Sequence, residues 1–282
     1  MRYLYILILV TPFTYSYGCD ACASFSNSLN LGVMPLLKNN MVSTRYSFSR
    51  FNTTPFAFSE AVNSEATHSW DLQTRIKLSD QFQISGSIPF NYFSQKGENV
   101  AANLSGMGDV TLLGSFIGIN KVNMNKAKFG HLWTMSVGIK LPTGKTDFKD
   151  KAESLYNPRM QPGSGSIDYL LQSNYIIKKS SNSVMLELSA KFNTMGAHKY
   201  QLGNHYRTVL RYSRWFDINQ TKMLLSGGYV LDHIADDYSR SEVFHSLHGR
   251  TEHGIQLATD IFMQKFVINI NYQMPFYKIE RQ

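Results

Sequence analysis

The segment 266–276 alternates between two kinds of side chain. Its even-numbered positions are apolar or aromatic, whereas Asn269, Asn271 and Gln273 place amides on the opposite side. Successive side chains of a β-strand point to opposite faces, so this segment predicts a ribbon with one apolar and one polar face. Similar ribbons recur along most of the chain, and this repetition restricts the fold more than any other feature of the sequence.

Residues 1–18 have the pattern of a secretory signal peptide. A basic residue is followed by a short apolar run, and small residues stand at the third and first positions before Cys19. The apolar run is too short to span a bilayer by itself. We therefore expect an exported protein from which the signal peptide is removed, with residues 19–28 as a periplasmic N-terminal segment.

Cys19 and Cys22 are the only cysteines, and their spacing is C-x-x-C. In an exported protein such a pair can close a disulfide or contribute to a metal site, and acylation of Cys19 would leave one free thiol. A single C-x-x-C without a second pair of ligands is a weak indication of metal binding. The sequence leaves these alternatives open and favours a tethered segment with a small disulfide or a lipid.

About twelve strands are predicted from the alternation and from the turn residues between them. They lie near 29–37, 41–51, 67–79, 81–93, 107–119, 130–142, 165–178, 182–195, 203–217, 221–233, 252–263 and 265–277. Short and long connections alternate between these strands, as in outer-membrane barrels with short periplasmic turns and long extracellular loops. We therefore predict an all-β chain that forms a single antiparallel transmembrane β-barrel over residues 29–282.

Other properties of the sequence agree with a barrel. The mean hydropathy is −0.24, because polar residues of a lumen dilute the apolar residues that face lipid. An even number of strands is expected to place both termini on the periplasmic side. The formal net charge is +8, but no compact Lys/Arg run is present, so nucleic acid is not an expected partner. The aromatic residues expected to form interfacial girdles are Trp70, Trp133, Trp215, Tyr92 and Phe276.

Three glycine-rich motifs carry a resemblance to a known family. They are Gly106-Met107-Gly108-Asp109-Val110, Leu141-Pro142-Thr143-Gly144 and Gly163-Ser164-Gly165-Ser166-Ile167-Asp168. In this succession the chain resembles the bacterial outer-membrane proteins grouped as phenol-degradation meta-pathway or putative transporter proteins. The start Cys19-Asp20-Ala21-Cys22, followed by Leu31-Gly32-Val33-Met34-Pro35, is similar to a branch common in Bacteroidetes. The resemblance implies a β-barrel and suggests uptake of small molecules.

Charged residues on the polar faces of the predicted strands are candidates for the lumen. They would select solutes if they formed a constriction, and they would fill a narrow barrel if they formed ion pairs; the sequence leaves both open. The candidate selectivity residues are Arg75, Lys77, Lys191, His205, Arg207 and Arg211. Because these side chains are basic, an open lumen is expected to favour anions. The other inward charges are Arg45, Asp71, Asp109, Lys140, Asp168, Glu187, Asp232 and Asp260.

The last long loop concentrates imidazole and carboxylate groups, which suit Zn, Cu, Ni or Fe. Its candidate metal ligands are His233, His245, His248 and His253. No established metal spacing is present, so metal capture is the weakest functional hypothesis. An enzyme or a cofactor is not predicted. The sequence contains no nucleophile elbow, and Ile139 replaces the first glycine that a phosphate loop ending at Lys145 would need.

The favoured function is a passive or substrate-selective transporter of small solutes in the outer membrane of a Gram-negative bacterium. The main alternative is a non-conducting barrel that acts as a structural or partner-binding subunit of an envelope assembly. The expected partners are outer-membrane lipid, small solutes and, in the alternative, other envelope proteins.

Overall fold

A computed structural model of the chain describes residues 40–53, 63–96, 101–121, 129–149, 155–156, 158–218, 221–240, 249–263 and 267–280. These residues form fourteen strands and two short 3-10 turns, at Pro158–Met160 and Ala197–Lys199. The strands are β1 (Met41–Thr53), β2 (Asn63–Lys77), β3 (Phe82–Lys96), β4 (Ala101–Met107), β5 (Thr111–Lys121), β6 (Gly130–Lys140), β7 (Asp168–Lys179), β8 (Asn182–Phe192), β9 (Tyr200–Gln201), β10 (His205–Ile218), β11 (Thr221–Ile234), β12 (Tyr238–Ser239), β13 (Arg250–Phe262) and β14 (Val267–Glu280). No helix within the described ranges is long and apolar enough to cross a membrane.

Twelve of these strands form one antiparallel sheet in which neighbours follow each other along the chain. The order is β1-β2-β3-β5-β6-β7-β8-β10-β11-β13-β14, and β4 and β5 pair with different parts of β3. β9 and β12 form a separate two-stranded sheet. The large sheet is strongly curled into a half-barrel. The prediction of an all-β, antiparallel barrel architecture with about twelve strands is confirmed.

The first predicted strand, near 29–37, lies outside the described residues. β1 and β14 are therefore the two ends of the described sheet, and within the described ranges each pairs with one neighbour. The exposure of β14 reflects its position at the end. Its inward Gln273 is exposed, whereas Gln256, opposite it in β13, is buried. Residues 29–37 remain the predicted closing strand.

The structure differs from the prediction after β3. The prediction of a long loop over 94–106 is wrong, because β3 continues into that region and β4 pairs with its end. Ala102 and Leu104 of β4 are buried and alternate with exposed polar residues. The small and polar side chains of this segment have the composition of a loop, so the sequence does not indicate the short strand.

The two faces of the sheet differ as the alternation predicts. Outward side chains such as Val137, Leu257 and Ile270 are apolar and exposed. Inward side chains such as Ser85 and Gln256 are mostly polar, and they are buried. A sheet with an apolar, exposed exterior and a polar interior has the pattern of a transmembrane barrel, whose exterior is covered by lipid.

The strand ends form two rims of the half-barrel. The short-turn rim is the edge at which the strands joined by 78–81, 122–129, 180–181, 219–220 and 263–266 end and begin. The long-loop rim is the edge at which the strands joined by 54–62, 97–100, 141–167, 193–204 and 235–249 end and begin. β14 begins at the short-turn rim, so its end at Glu280 lies at the long-loop rim. The prediction that both termini lie beside the short turns is therefore wrong for the C-terminal end of β14.

Candidate functional site: the polar inner wall

The inner wall is lined by polar side chains that form hydrogen bonds between neighbouring strands. Ser69 in β2 donates to Asn91 Oδ1 in β3 at 2.8 Å, and the hydroxyls of Ser115 in β5 and Ser136 in β6 are 2.7 Å apart. These contacts follow from the register, because the alternation places the polar face of each strand beside that of the next. The wall is therefore a hydrogen-bonded polar layer.

Asp109 is the centre of a polar node at the long-loop rim. Its carboxylate accepts hydrogen bonds from the backbone N–H groups of Gly144 and Ser164, each at 2.9 Å, and from the Ser164 hydroxyl at 2.7 Å. Lys140 Nζ lies 2.9 Å from Asp109 Oδ2. Charge-assisted hydrogen bonds of this kind are stronger than neutral ones, so the carboxylate holds together the segments that supply its donors.

The three glycine-rich motifs of the sequence meet at this node. Asp109 comes from the first motif, Gly144 from the second and Ser164 from the third. A Cβ atom added to Gly163 would lie 2.4 Å from the Gly144 carbonyl carbon, and one added to Gly144 would lie 2.6 Å from Gly163 Cα. These glycines are required because their backbones touch. Three motifs that are distant in the sequence therefore form one structural unit.

Lys140 connects the node to the inner wall. Its Nζ lies 2.6 Å from Asp168 Oδ2 in β7, and Lys191 Nζ in β8 lies 3.4 Å from the same oxygen. Asp168 also accepts hydrogen bonds from the Ser166 hydroxyl at 2.7 Å and from the Thr194 N–H at 3.1 Å. Lys191, a predicted selectivity residue, is therefore part of an ion-pair chain.

His205 and Arg207, two further predicted selectivity residues, share one carboxylate. Arg207 Nη1 lies 2.7 Å from Asp232 Oδ2, and His205 Nε2 lies 3.0 Å from Asp232 Oδ1. Arg207 Nη2 also donates to Gln273 Oε1 of β14 at 2.9 Å. The register of β10 and β11 places Arg207 directly opposite Asp232, so the pair is a cross-strand contact.

Arg207, Val209 and Arg211 are successive inward-facing residues of β10. Arg211 Nη2 donates to Gln256 Oε1 in β13 at 2.5 Å. Glu187 in β8 is opposite Val209, between Arg207 and Arg211, and is only 2% exposed. Both guanidinium groups therefore attract this buried carboxylate.

The remaining two selectivity candidates lie in β2 and have different surroundings. Arg75 is buried on the inner wall. Lys77 is the last residue of β2, where its Nζ lies 2.5 Å from Asp80 Oδ1 in the following turn. Because Asp80 is largely exposed, this pair belongs to the short-turn rim. Arg75 and Lys77 therefore lie on β2, distant in the sheet from the other four candidates, which are on β8 and β10.

The charges of the inner wall balance each other. With the Lys140–Asp109 pair of the node included and the other charges of the two rims left out, the described wall carries six cationic and six anionic side chains. The cationic residues are Arg45, Arg75, Lys140, Lys191, Arg207 and Arg211, and the anionic residues are Asp71, Asp109, Asp168, Glu187, Asp232 and Asp260. Many of them form direct pairs, as Arg45 and Asp71 do at 2.8 Å. The wall therefore carries no excess of either sign.

The part of the wall near the short-turn rim contains an apolar cluster. Leu132 of β6, Ile176 of β7 and Met185 of β8 are buried against each other, and Ile117 of β5 packs against them. The register places all of them on the inward side. Along β5 to β8 the wall therefore changes from ion-paired at the long-loop rim to apolar toward the short-turn rim.

The described histidines of the predicted metal site lie beside tyrosines on the outer face. The His233 ring stacks on Tyr206 with the centroids 6.1 Å apart, and His253 Nδ1 is hydrogen-bonded to the Tyr229 hydroxyl. Within the described ranges, no group of three or more His, Cys, Asp and Glu side chains could hold a metal ion. The other candidates, His245, His248, Cys19 and Cys22, lie outside the described residues.

Tyrosine–histidine pairs recur on the outer face. The Tyr46 hydroxyl lies 2.7 Å from His68 Nδ1, and the Tyr175 hydroxyl lies 2.9 Å from His131 Nδ1. Rings with one apolar body and one polar tip suit the boundary between lipid and water. Among the aromatic residues predicted for this boundary, Trp215 differs, because the register places it opposite a buried leucine on the inner side.

One buried ion pair between two long loops is not indicated by the sequence. Arg159 Nε and Nη2 donate to Asp237 Oδ2 and Oδ1 at 2.7 and 2.6 Å. The Gly203 N–H donates to Asp237 Oδ1 at 2.8 Å, and the Tyr200 hydroxyl donates to Oδ2. Burial, followed by the adjacent Asp237 carboxylate, raises the pKa of Tyr200, so its hydroxyl remains a donor. In the sequence Arg159 is a single basic residue in a loop, and no pattern distinguishes it.

The sequence matches no protein-family model and no curated protein. Among solved structures, the chain is similar to the COG4313 outer membrane channel from Pseudomonas putida F1. The two chains are 14% identical and superpose with a TM-score of 0.58 over 84% of this chain and 88% of that chain. The fold is that of an outer-membrane β-barrel.

Proposed function

We propose that the protein is an outer-membrane channel for small polar solutes in a Gram-negative bacterium. The observation that carries this proposal is the curled antiparallel sheet with an apolar, exposed exterior and a polar inner wall. An exposed apolar surface of this extent marks contact with lipid or with a partner, and closed β-barrels are the sheets that span membranes. The similarity in fold to an outer membrane channel supports the same function.

The balanced inner wall favours uncharged or zwitterionic solutes. An excess of one sign in a pore selects ions of the opposite sign, whereas neighbouring opposite charges cancel each other's field. Lys191 and Arg207, which would favour anions, are paired with Asp168 and Asp232. We therefore propose a weak ion preference, smaller than the basic side chains of β10 alone would produce.

Planar-bilayer recordings of the purified protein test this function. A channel gives stepwise current above that of the protein-free bilayer, and reversal potentials in a salt gradient report its ion preference. Replacing Arg207 and Arg211 by Glu should shift the preference toward cations. The control is Arg240→Glu, because Arg240 is exposed at the long-loop rim. A folded protein that carries no current would contradict the channel function.

A non-conducting barrel within an envelope assembly is the second candidate. The close packing of the inner wall favours it, since Ser69, Asp71 and Ser85 are at most 2% exposed. Absence of current, together with stoichiometric co-purification of a defined envelope protein, would support this function. The predicted N-terminal tether at Cys19 and Cys22 would then be the first segment to test for attachment.

A further inference from the structure

The long loop between β6 and β7 is held at two distant parts of the half-barrel. Its described residues are 141–149, 155–156 and 158–167, and they include the 3-10 turn Pro158–Met160. Two adjacent residues of this turn, Arg159 and Met160, are both buried. The Met160 side chain contacts the sheet, whereas the Arg159 side chain contacts the loop that follows β11.

Met160 packs against the wall formed by β3 and β4. The buried members of this apolar cluster are Phe93, Ala102, Leu104 and Met160, and Phe148 and Tyr156 of the same loop pack against it. Phe93 and Leu104 are opposite each other in register and both face inward. The loop therefore enters the interior of the half-barrel at this side.

Arg159 contacts the loop that follows β11. Its guanidinium forms a two-pronged contact with Asp237, and the exposed fractions of the two side chains are 5% and 0%. Asp237 in turn accepts the Gly203 N–H and the Tyr200 hydroxyl. The turn is therefore anchored to the segments after β8 and after β11.

These two anchors are far apart along the wall. β3 is third in the order of the sheet, and β8 and β11, whose following segments hold Arg159, are seventh and ninth, so four to six strand spacings separate the anchors. At about 4.8 Å per spacing this is roughly 19–29 Å along the wall. Adjacent residues of a chain have Cα atoms only about 3.8 Å apart. The turn contacts both anchors because the loop crosses the concave side of the half-barrel.

Further hydrogen bonds fix the crossing segment on both sides. The Gln161 amide donates to the carbonyl oxygens of Phe148 and Tyr156 at 3.0 and 3.1 Å. On the other side, the Ala197 N–H donates to the Ser164 carbonyl oxygen at 3.1 Å. We call residues 158–164 the mouth bridge. It is bonded to its own loop and to the segment 193–204.

We propose that the mouth bridge is the size-limiting constriction of the channel and that the Arg159–Asp237 pair holds it in place. This inference rests on the proposed channel function. Solutes that enter at the long-loop rim pass beside the bridge. The position of the bridge, and not the diameter of the barrel, therefore determines the size of the opening. The forked contact holds the guanidinium in one orientation, which a single-point contact would not do.

Variants of the pair test this role by single-channel conductance and by exclusion of polyethylene glycols of increasing size. Asp237→Asn retains the shape of the side chain but removes its charge, and we expect conductance to rise by about twofold or more, with larger polymers admitted. Arg159→Lys keeps the charge without the fork, so we expect a smaller rise. Tyr200→Phe removes one hydrogen bond and no charge, which provides a mild variant if the others fail to fold.

The matched control is Arg240→Gln, which removes an exposed charge from the same rim outside the bridge. Folding of each variant is checked by its heat-dependent migration in detergent gels. If the parent conducts and folded Asp237→Asn has unchanged conductance and polymer exclusion, the role of the bridge is overturned and the channel function stands. If the parent is silent and the variant conducts, the bridge is a plug and the open-channel function fails. If neither conducts, both proposals are overturned.

Discussion

The two rims of the half-barrel use their charged residues in opposite ways. At the long-loop rim, Lys140 and Asp109 form a buried pair whose side chains are 10% and 6% exposed. At the short-turn rim, Lys77 pairs with Asp80, whose side chain is 94% exposed. Loss of one partner from a buried pair is costly, whereas an exposed pair contributes little to stability. The Lys140–Asp109 pair therefore holds segments of the long-loop rim together, whereas the Lys77–Asp80 pair of the short-turn rim is in contact with solvent.

The sequence of the short-turn rim is strongly basic. The observed and predicted short connections, each taken with two residues on either side, contain nine Lys or Arg and two Asp. These segments are 36–42, 76–83, 120–131, 178–183, 217–222 and 261–268. Their excess of positive charge, seven, is most of the formal net charge of +8 of the whole chain. The rest of the chain is nearly balanced.

The largest expected effect concerns which rim faces the outside of the cell. With long loops outside, Asp147→Cys should react with a membrane-impermeant maleimide on intact cells. Ser181→Cys should react only after the outer membrane is permeabilised. Both positions are exposed, and they lie on opposite rims. Labelling of the unsubstituted protein measures the background from Cys19 and Cys22 and is subtracted. The reverse labelling would place the basic rim outside, against the phosphate groups of lipopolysaccharide.

The second prediction compares one carboxylate from each rim. Asp109→Ala should lower the free energy of unfolding by about 3–5 kcal/mol, because it removes one partner of a buried pair. It also leaves the N–H groups of Gly144 and Ser164 without their acceptor. Asp80→Ala should change the free energy by less than about 1 kcal/mol, because its partner remains solvated. Urea titrations in detergent or lipid measure both, and equal losses would show that the rims do not differ.

The third prediction concerns the outer face between the rims. Leu257 is exposed near the middle of β13, so Leu257→Arg should cost about 2–4 kcal/mol by placing a cation in hydrocarbon. Ile268 is the second residue of β14, next to the short-turn rim, and Ile268→Arg should cost only about 0–1 kcal/mol. Refolding titrations into lipid compare them. A larger loss at Ile268 would contradict the position of the rim.

The faces of the strands could be predicted because the side chains of a strand alternate between the two faces, so apolar and polar residues alternate along the sequence. His205 and Arg207 were expected on one side of their strand, and both are buried on the inner wall. Their partner Asp232 follows from the register between β10 and β11. Alternation alone does not specify which residues of two strands are opposite, so the ion pairs could not be assigned from the sequence.

The node and the mouth bridge depend on contacts between distant segments. Asp109 follows a glycine at the start of a strand, where capping of a local turn is a sufficient explanation. Its actual donors, Gly144 and Ser164, come 35 and 55 residues later in the chain. Contacts between such distant segments produce no repeating pattern of residue types in the sequence. The three glycine motifs were recognised by resemblance, but their convergence became visible only in the fold.

The position of the termini was, in contrast, available in the sequence. If the first strand lies near 29–37, the first and the last connections are both short. The chain then enters and leaves the barrel at the rim opposite the short turns. An even number of strands places both termini on one side but does not say which side. The direction of β14 in the structure agrees with this reasoning.

The smallest expected effect tests whether the basic rim contacts anionic head groups. Lys179 and Lys222 are exposed at the short-turn rim, and replacing either by Gln should lower the preference for anionic over zwitterionic vesicles about fivefold during refolding. Added salt should weaken the preference of the parent, because such charges are screened over about 10 Å at 0.1 M. Lys145→Gln at the long-loop rim is the matched control, and we expect it to leave the preference unchanged. If all three variants kept the preference of the parent, the excess charge of the short-turn rim would have no role at the membrane surface.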